Sequence, residues 1–216
     1  MGIQERKKRE KEGRRQQILA ASKQLFSDQG FQQTTMEEIA NAAELSPGTI
    51  YLYFKSKDEL FAELSLGVIH YFNGRLDKLT SGDHMTSEQK LGGVKDILQD
   101  ICTFDSFILV NALKLQSGET LKKLSPHLTS DIRKQSVKVA EKLSGIFSEG
   151  IDDGSFVDRR PDVFSAILWG AFSGMVLFNE FQESFTSNPH DLPQSIENTF
   201  EIFSRGIQTR PHPKTL

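Results

Sequence analysis

From residue 14 to residue 208, apolar residues recur at spacings of three and four and alternating strand patterns are absent. Such stretches bury a continuous apolar face only as helices, so the fold class read from the sequence is all-α. In 14–29, Ile18, Ala21, Leu25 and Phe26 make one stripe, and Gly30 is a natural stop. Further helices are expected from Thr35, from Gly48 to about 54, from Lys57 to 79, and over 88–103, 104–116, 127–149, 161–184 and 192–208. Loops are expected at 80–87 and 117–126, with a turn over 150–154.

The helix near residue 48 is the odd one. Ser46 reads as its N-cap and Pro47 as its first residue, yet Phe54 ends it after barely two turns, about 12 Å. A helix that short is not stable alone in water, so neighbours must hold it and its purpose is to be presented to something. Thr35-Met36-Glu37-Glu38 and Ser56-Lys57-Asp58-Glu59 both have capping-box spacing, which starts one helix before it and one after it. Two short helices with a tight turn between them, braced by a third, make a helix-turn-helix.

Charge is unevenly distributed. The 216 residues carry a formal net charge of -3, but Arg6, Lys7, Lys8, Arg9, Lys11, Arg14 and Arg15 outnumber Glu10 and Glu12 between residues 6 and 15. This stretch reads as a solvated basic arm. The N-terminus lacks an apolar stretch of signal-peptide length, and Cys102 is the sole cysteine, so a reducing cytoplasm is expected. Cys102 lies in an apolar run and reads either as a small buried hydrophobe or as a reactive thiol. No residue set has metal-ligand spacing, and phosphate loops, nucleophile elbows and paired catalytic carboxylates are all missing. No catalytic residue, metal or cofactor is therefore expected, and the chain does not read as an enzyme. The uncharged stretch 163–178 falls short of the ~20 residues needed to cross a bilayer, so no membrane partner is expected and this helix must find cover elsewhere.

Ile18, Ala21, Leu25, Phe26, Gly30, Phe31, Thr34, Thr35, Ile39, Ala40, Ala43, Ser46, Gly48, Thr49, Ile50, Tyr51, Tyr53, Phe54, Lys57 and Leu60 together resemble the DNA-binding domain of TetR-type (TetR/AcrR family) transcriptional regulators. The resemblance covers about 14–66 and implies three parts: a basic arm over 1–13, a helix-turn-helix domain over 14–60, and a helical effector-binding and dimerisation domain over 61–216. A major groove about 12 Å wide admits one helix, which reads base edges with its first residues. Pro47, Gly48, Thr49, Tyr51 and Tyr53 are then candidates on the presented helix. Lys57 is a candidate for a phosphate, Arg14 and Arg15, followed by Lys11, are candidates of an arm that lies along phosphates or enters the minor groove, and Thr34 and Thr35 are candidates for an anion at a helix N-terminus. Thr35 reads equally as a cap alone, and Tyr51 and Tyr53 could instead be packing aromatics. Ile50 and Phe54 read as core.

Half-site readers gain specificity by pairing. Ala166, Gly170 and Gly174 leave one helix edge smooth enough for another helix, so with Phe200 and Phe203 they are candidates for a homodimer interface; packing of this row inside one subunit is the alternative. Phe104, Phe107, Asn111, His127, Trp169, Met175 and Phe178 are candidate residues of an apolar effector pocket. The resemblance implies a repressor released from a palindromic double-stranded DNA operator by a small lipophilic effector, with the helix over 57–79 as the mechanical link. A helical binding module without DNA affinity is the competing class.

Overall fold

A computed structural model describes residues 2–82, 84–104, 106–115, 121–183, 185 and 191–209, with the side chains of 104, 106, 107, 111, 114, 115 and 183 outside the description. The elements are α1 (Ile3–Gln29), α2 (Met36–Ala42), α3 (Pro47–Tyr53), α4 (Lys57–Thr80), α5 (Ser87–Phe104), α6 (Ser106–Leu115), α7 (Pro126–Asp152), α8 (Pro161–Glu183) and α9 (Leu192–Ile207), with a 3-10 turn at Leu121–Lys123. Among the described residues the only extended pairing is an isolated bridge between Phe156 and Gln208, so the chain is all-α.

Two boundaries differ from expectation. The basic arm is helical and continuous with α1, because charge-pair geometry replaces an apolar stripe there. Glu5 accepts the Gly2 N–H at 3.2 Å, Arg6 reaches Glu10 at 2.8 Å, and Gln16 reaches Glu12 at 2.8 Å. These are good helix formers at i, i+4 spacing. Second, α7 runs through Gly150 to Asp152 before the chain turns at Gly154, whose φ of 79° suits glycine. Phe156 folds back so closely that a Cβ on Gly150 would stand 2.0 Å from its ring.

Contacts divide the chain into two compact units, Met1–Gly67 with Leu115–Asp131, and Val68–Lys114 with Ile132–Leu216. The dividing point lies inside α4, so that helix belongs to both units. In the first unit, α1 packs on α2 and α2 on α3. Phe26, Phe31 and Phe61 form a triangle with centroids 5.2 to 5.8 Å apart, and Ile18, Ile39, Ile50, Phe54 and Leu60 complete the core. In the second unit, α9 packs on α5 and α8 around Phe147, Phe164, Phe172 and Ile196. Phe200 and Phe203 belong to this same core. Phe200 is 3% exposed, and Phe203 packs edge-on against Phe147 at 5.9 Å, so neither is on a subunit surface as expected. The spacing that puts them on one stripe of α9 is the stripe that packs its own protomer.

Candidate nucleic-acid interface

The turn between α2 and α3 is built by backbone hydrogen bonds. Leu45 N–H donates to Ala40 O at 2.9 Å and Glu44 N–H to Asn41 O at 3.0 Å, the two bonds of a Schellman motif, with Glu44 in the left-handed position at φ 52°. Ser46 then caps α3, accepting the Thr49 N–H at 3.2 Å, and Pro47 occupies the first turn. Ile50 and Phe54, one turn apart, are fully buried and clamp α3 from behind. The opposite face therefore carries Gly48, Tyr51 and Leu52.

That face departs from the expected one. Tyr51 is 41% exposed and Leu52 77% exposed, while Pro47 and Gly48 lie open at the start of the helix. Thr49 and Tyr53 are half-buried, and the Thr49 hydroxyl is engaged with that of Ser46 at 2.8 Å. Leu52 was absent from the sequence candidates; the signal for it was the Ile50/Phe54 pair, which defines the buried side and hence its opposite. A Cβ on Gly48 would meet nothing closer than Ser46 Oγ at 4.0 Å, so packing gives no reason for glycine there.

Three expected anion contacts are committed within the domain instead. Lys57 Nζ donates to the carbonyls of Phe31 at 2.5 Å, Gln32 at 3.2 Å and Thr34 at 2.7 Å, and lies 4.5 Å from the Phe31 ring centroid. All three ammonium protons are used on the loop between α1 and α2. Arg15 pairs with Glu63 of α4 and stacks over Phe54 at 4.9 Å, which ties α1 to α4 and to the end of α3. Thr34 is buried, its hydroxyl donating to Gly30 O at 2.8 Å. Thr35 stays exposed and closes a full capping box: its N–H reaches Glu38 at 2.8 Å and its hydroxyl at 2.9 Å. These two donors hold the Glu38 carboxyl below the usual carboxylate range. Arg14 is exposed with no partner among the described residues.

The pocket candidates scatter. Trp169 is partly buried, stacked on Phe72 at 6.1 Å and beside Phe172 at 5.8 Å, and Met175 Sδ accepts the Thr199 hydroxyl at 2.9 Å. Phe178 is 55% exposed and stacks on Phe181 at 6.5 Å, so it lies on an outer stripe rather than in a pocket. His127 is exposed too, its side chain 89% open and 3.2 Å from Asp131, because its helix starts there in solvent. Phe104, Phe107 and Asn111 fall on α5 and α6, and their side chains lie outside the described residues. Ala166, Gly170 and Gly174 are exposed, with nothing within 4 Å of a Cβ on either glycine, so the small-residue row does not pack inside the subunit.

Residues 18–64 match the family profile described as "Bacterial regulatory proteins, tetR family". The chain is 29% identical to the HTH-type transcriptional repressor KstR2 of Mycolicibacterium smegmatis over 69% of each chain. It is 27% identical to the fatty acid metabolism regulator protein of Bacillus subtilis over 90% of this chain and 95% of that one. Among solved structures, FadR from Bacillus subtilis in complex with stearoyl-CoA has a TM-score of 0.69 at 22% identity, covering 89% of this chain and 99% of that one. The regulator PfmR from Thermus thermophilus has the same TM-score at 19% identity, covering 89% and 99%. At these identities the structural likenesses speak for the fold.

Proposed function

We propose that the chain is a transcriptional regulator of the TetR/AcrR type rather than an enzyme, a cytoplasmic homodimeric repressor released from a palindromic operator by a small lipophilic effector. The observation that carries the DNA-binding part is the open face of α3. Gly48 and Leu52 have no packing reason to be there, and an exposed helical glycine costs about 1 kcal/mol relative to alanine. Both choices make sense against a duplex, where Gly48 lets backbone approach closely and Leu52 meets a thymine methyl. Tyr51 adds a hydroxyl on a rigid arm, and the half-buried Thr49 adds its methyl.

The dimer reading is supported by α8. Val163, Ala166, Ile167, Gly170, Gly174, Phe178 and Phe181 share one solvent-facing stripe, and Ile202 stands 73% exposed on α9. The helix over Pro161–Gln182 is long and apolar enough to cross a membrane by length and composition, yet its opposite face is built into the core of a unit. A second copy covers the stripe, with the small residues letting two helices approach. Release follows if the effector prefers one arrangement of the dimer, with α4 as the continuous element common to both units. A lipophilic effector is supported by the partly buried Trp169 and Met175, and by relatives named for fatty acid metabolism and for a stearoyl-CoA complex.

Selection of bound sequences from a random duplex pool tests the reading. A palindrome with half-sites about one helical turn or a multiple apart is the expected result. Leu52→Ala should relax the preference at one base pair per half-site, each mismatch there costing ~1–3 kcal/mol less than for the parent chain. Absence of any preferred duplex, with the dimer intact in sedimentation, would reject it in favour of a binding module. Ile167→Glu should give a folded monomer in the same sedimentation assay.

A further inference from the structure

We propose that the N-terminal extension binds DNA as a rigid helical rail, its Lys7, Lys8, Lys11 and Arg14 lying along the phosphates beside the groove that α3 occupies. The inference rests on the DNA-binding reading above and extends it to a second contact surface. Residues 3–14 form the first 12 residues of α1, about 18 Å of helix, and every one of them is exposed. Lys7, Lys11 and Arg14 recur at i, i+4, i+7, and Lys8 falls beside them, so the four share the face that continues to Arg15 and Ile18. Glu5 falls off that stripe, while Glu12, one turn on from Lys8, and Glu10, one turn before Arg14, border it on either side. Glu10 is occupied by Arg6 and Glu12 by Gln16, whereas Lys7, Lys8, Lys11 and Arg14 have no ion pair among the described residues.

Position supplies the partner. The extension leaves the domain where Arg15 stacks over Phe54, the C-cap of α3, and where Gln17 donates to Ala43 O at 2.7 Å, next to the turn between α2 and α3. The stripe thus begins within a turn of contacts to the turn between α2 and α3 and to the C-terminal end of α3. Shape then decides how it engages a duplex. A helix about 10–12 Å across with side chains cannot enter a minor groove about 6 Å wide. A flexible basic arm can. The helical arm is confined to the backbone, where it adds affinity without sequence information.

The uncompensated charges also repel one another along the helix, and duplex phosphate is the chemistry that neutralises a row of them. The test titrates operator binding against salt between about 50 and 200 mM for the full chain and for K7Q/K8Q/K11Q/R14Q, in which glutamine keeps helix propensity. The expected result is a salt slope lower by about 3.6 per arm, four phosphates at ~0.9 each, with the ratio of operator to scrambled duplex unchanged. An unchanged slope overturns the rail, as does a loss of preference between A·T and G·C flanks, which marks a minor-groove arm. Gly13→Ala separates helix from strand: it stiffens the extension, so binding tightens by up to about fivefold per arm if the rail is helical. Weaker binding by that variant overturns the helical geometry. Should the parent chain show no operator preference at any salt, the functional reading itself fails, and the salt slopes of the two proteins show which failure has occurred.

Discussion

Replacing Lys57 by methionine discriminates between two jobs that the residue could have. As a phosphate contact, its loss would lower the salt slope of operator binding by ~0.9 per protomer and leave stability alone. The structure gives it the other job. Its ammonium satisfies three carbonyls of the loop between α1 and α2 and sits on the Phe31 ring. Hydrogen bonds from a charged donor are worth about 1.5–3 kcal/mol each when buried. Lys57 is half-buried, so water recovers much of that at the freed carbonyls, and a total near 2 kcal/mol is reasonable with ~0.5–1 kcal/mol from the ring contact included. For a chain of this size that lowers the melting temperature by roughly 4–8 °C. Thermal melts followed by far-ultraviolet dichroism, and salt titrations of operator binding well below the melt, measure both quantities on one preparation. An unshifted melt with a salt slope reduced by about one would refute the clamp.

Other positions yield shorter tests. Glu44→Gly should be neutral to stabilising by up to ~1 kcal/mol in denaturant melts, since glycine removes a left-handed penalty of about 1–2 kcal/mol and returns part of it as chain entropy; a clear loss would contradict the strain at φ 52°. Gly150→Ala should destabilise by ~1–3 kcal/mol through its clash with the Phe156 ring, and its cost should shrink when Phe156→Ala accompanies it; simple additivity would tell against the clash. Burial pushes the Cys102 thiol up to about 12, so alkylation should appear only on unfolding, and labelling of the folded protein near pH 8 would be decisive against it. Folded Glu38 releases its proton more readily than the unfolded chain does, so its stabilisation is present above its ordinary value of 4.5 and lost as pH falls through the lower folded value. The gap between the melts of the parent chain and Glu38→Gln should therefore close on acidification, and a gap that widens would reverse the assignment.

Much of this was legible without coordinates. Capping at Thr35, Ser46 and Ser56, the stop at Gly30 and the burial of Ile50 and Phe54 all rest on near-neighbour physics: a helix end needs a donor or acceptor within three residues, and a stripe needs only periodicity. The helical state of the arm also rests on local pairs, but it was missed because it has no apolar stripe to announce it.

Amino-acid order by itself determined the succession of helices after the arm, the tight turn and the short presented helix. Tertiary structure alone decided where several cations and aromatics ended up. Lys57 is drawn to carbonyls about 25 residues earlier in the chain, Arg15 to Glu63, and Phe200 and Phe203 into their own core rather than outward. Long flexible side chains and two-sided helices take whichever partner the fold brings within reach, and that choice involves residues far apart in sequence. Local pattern has no access to it.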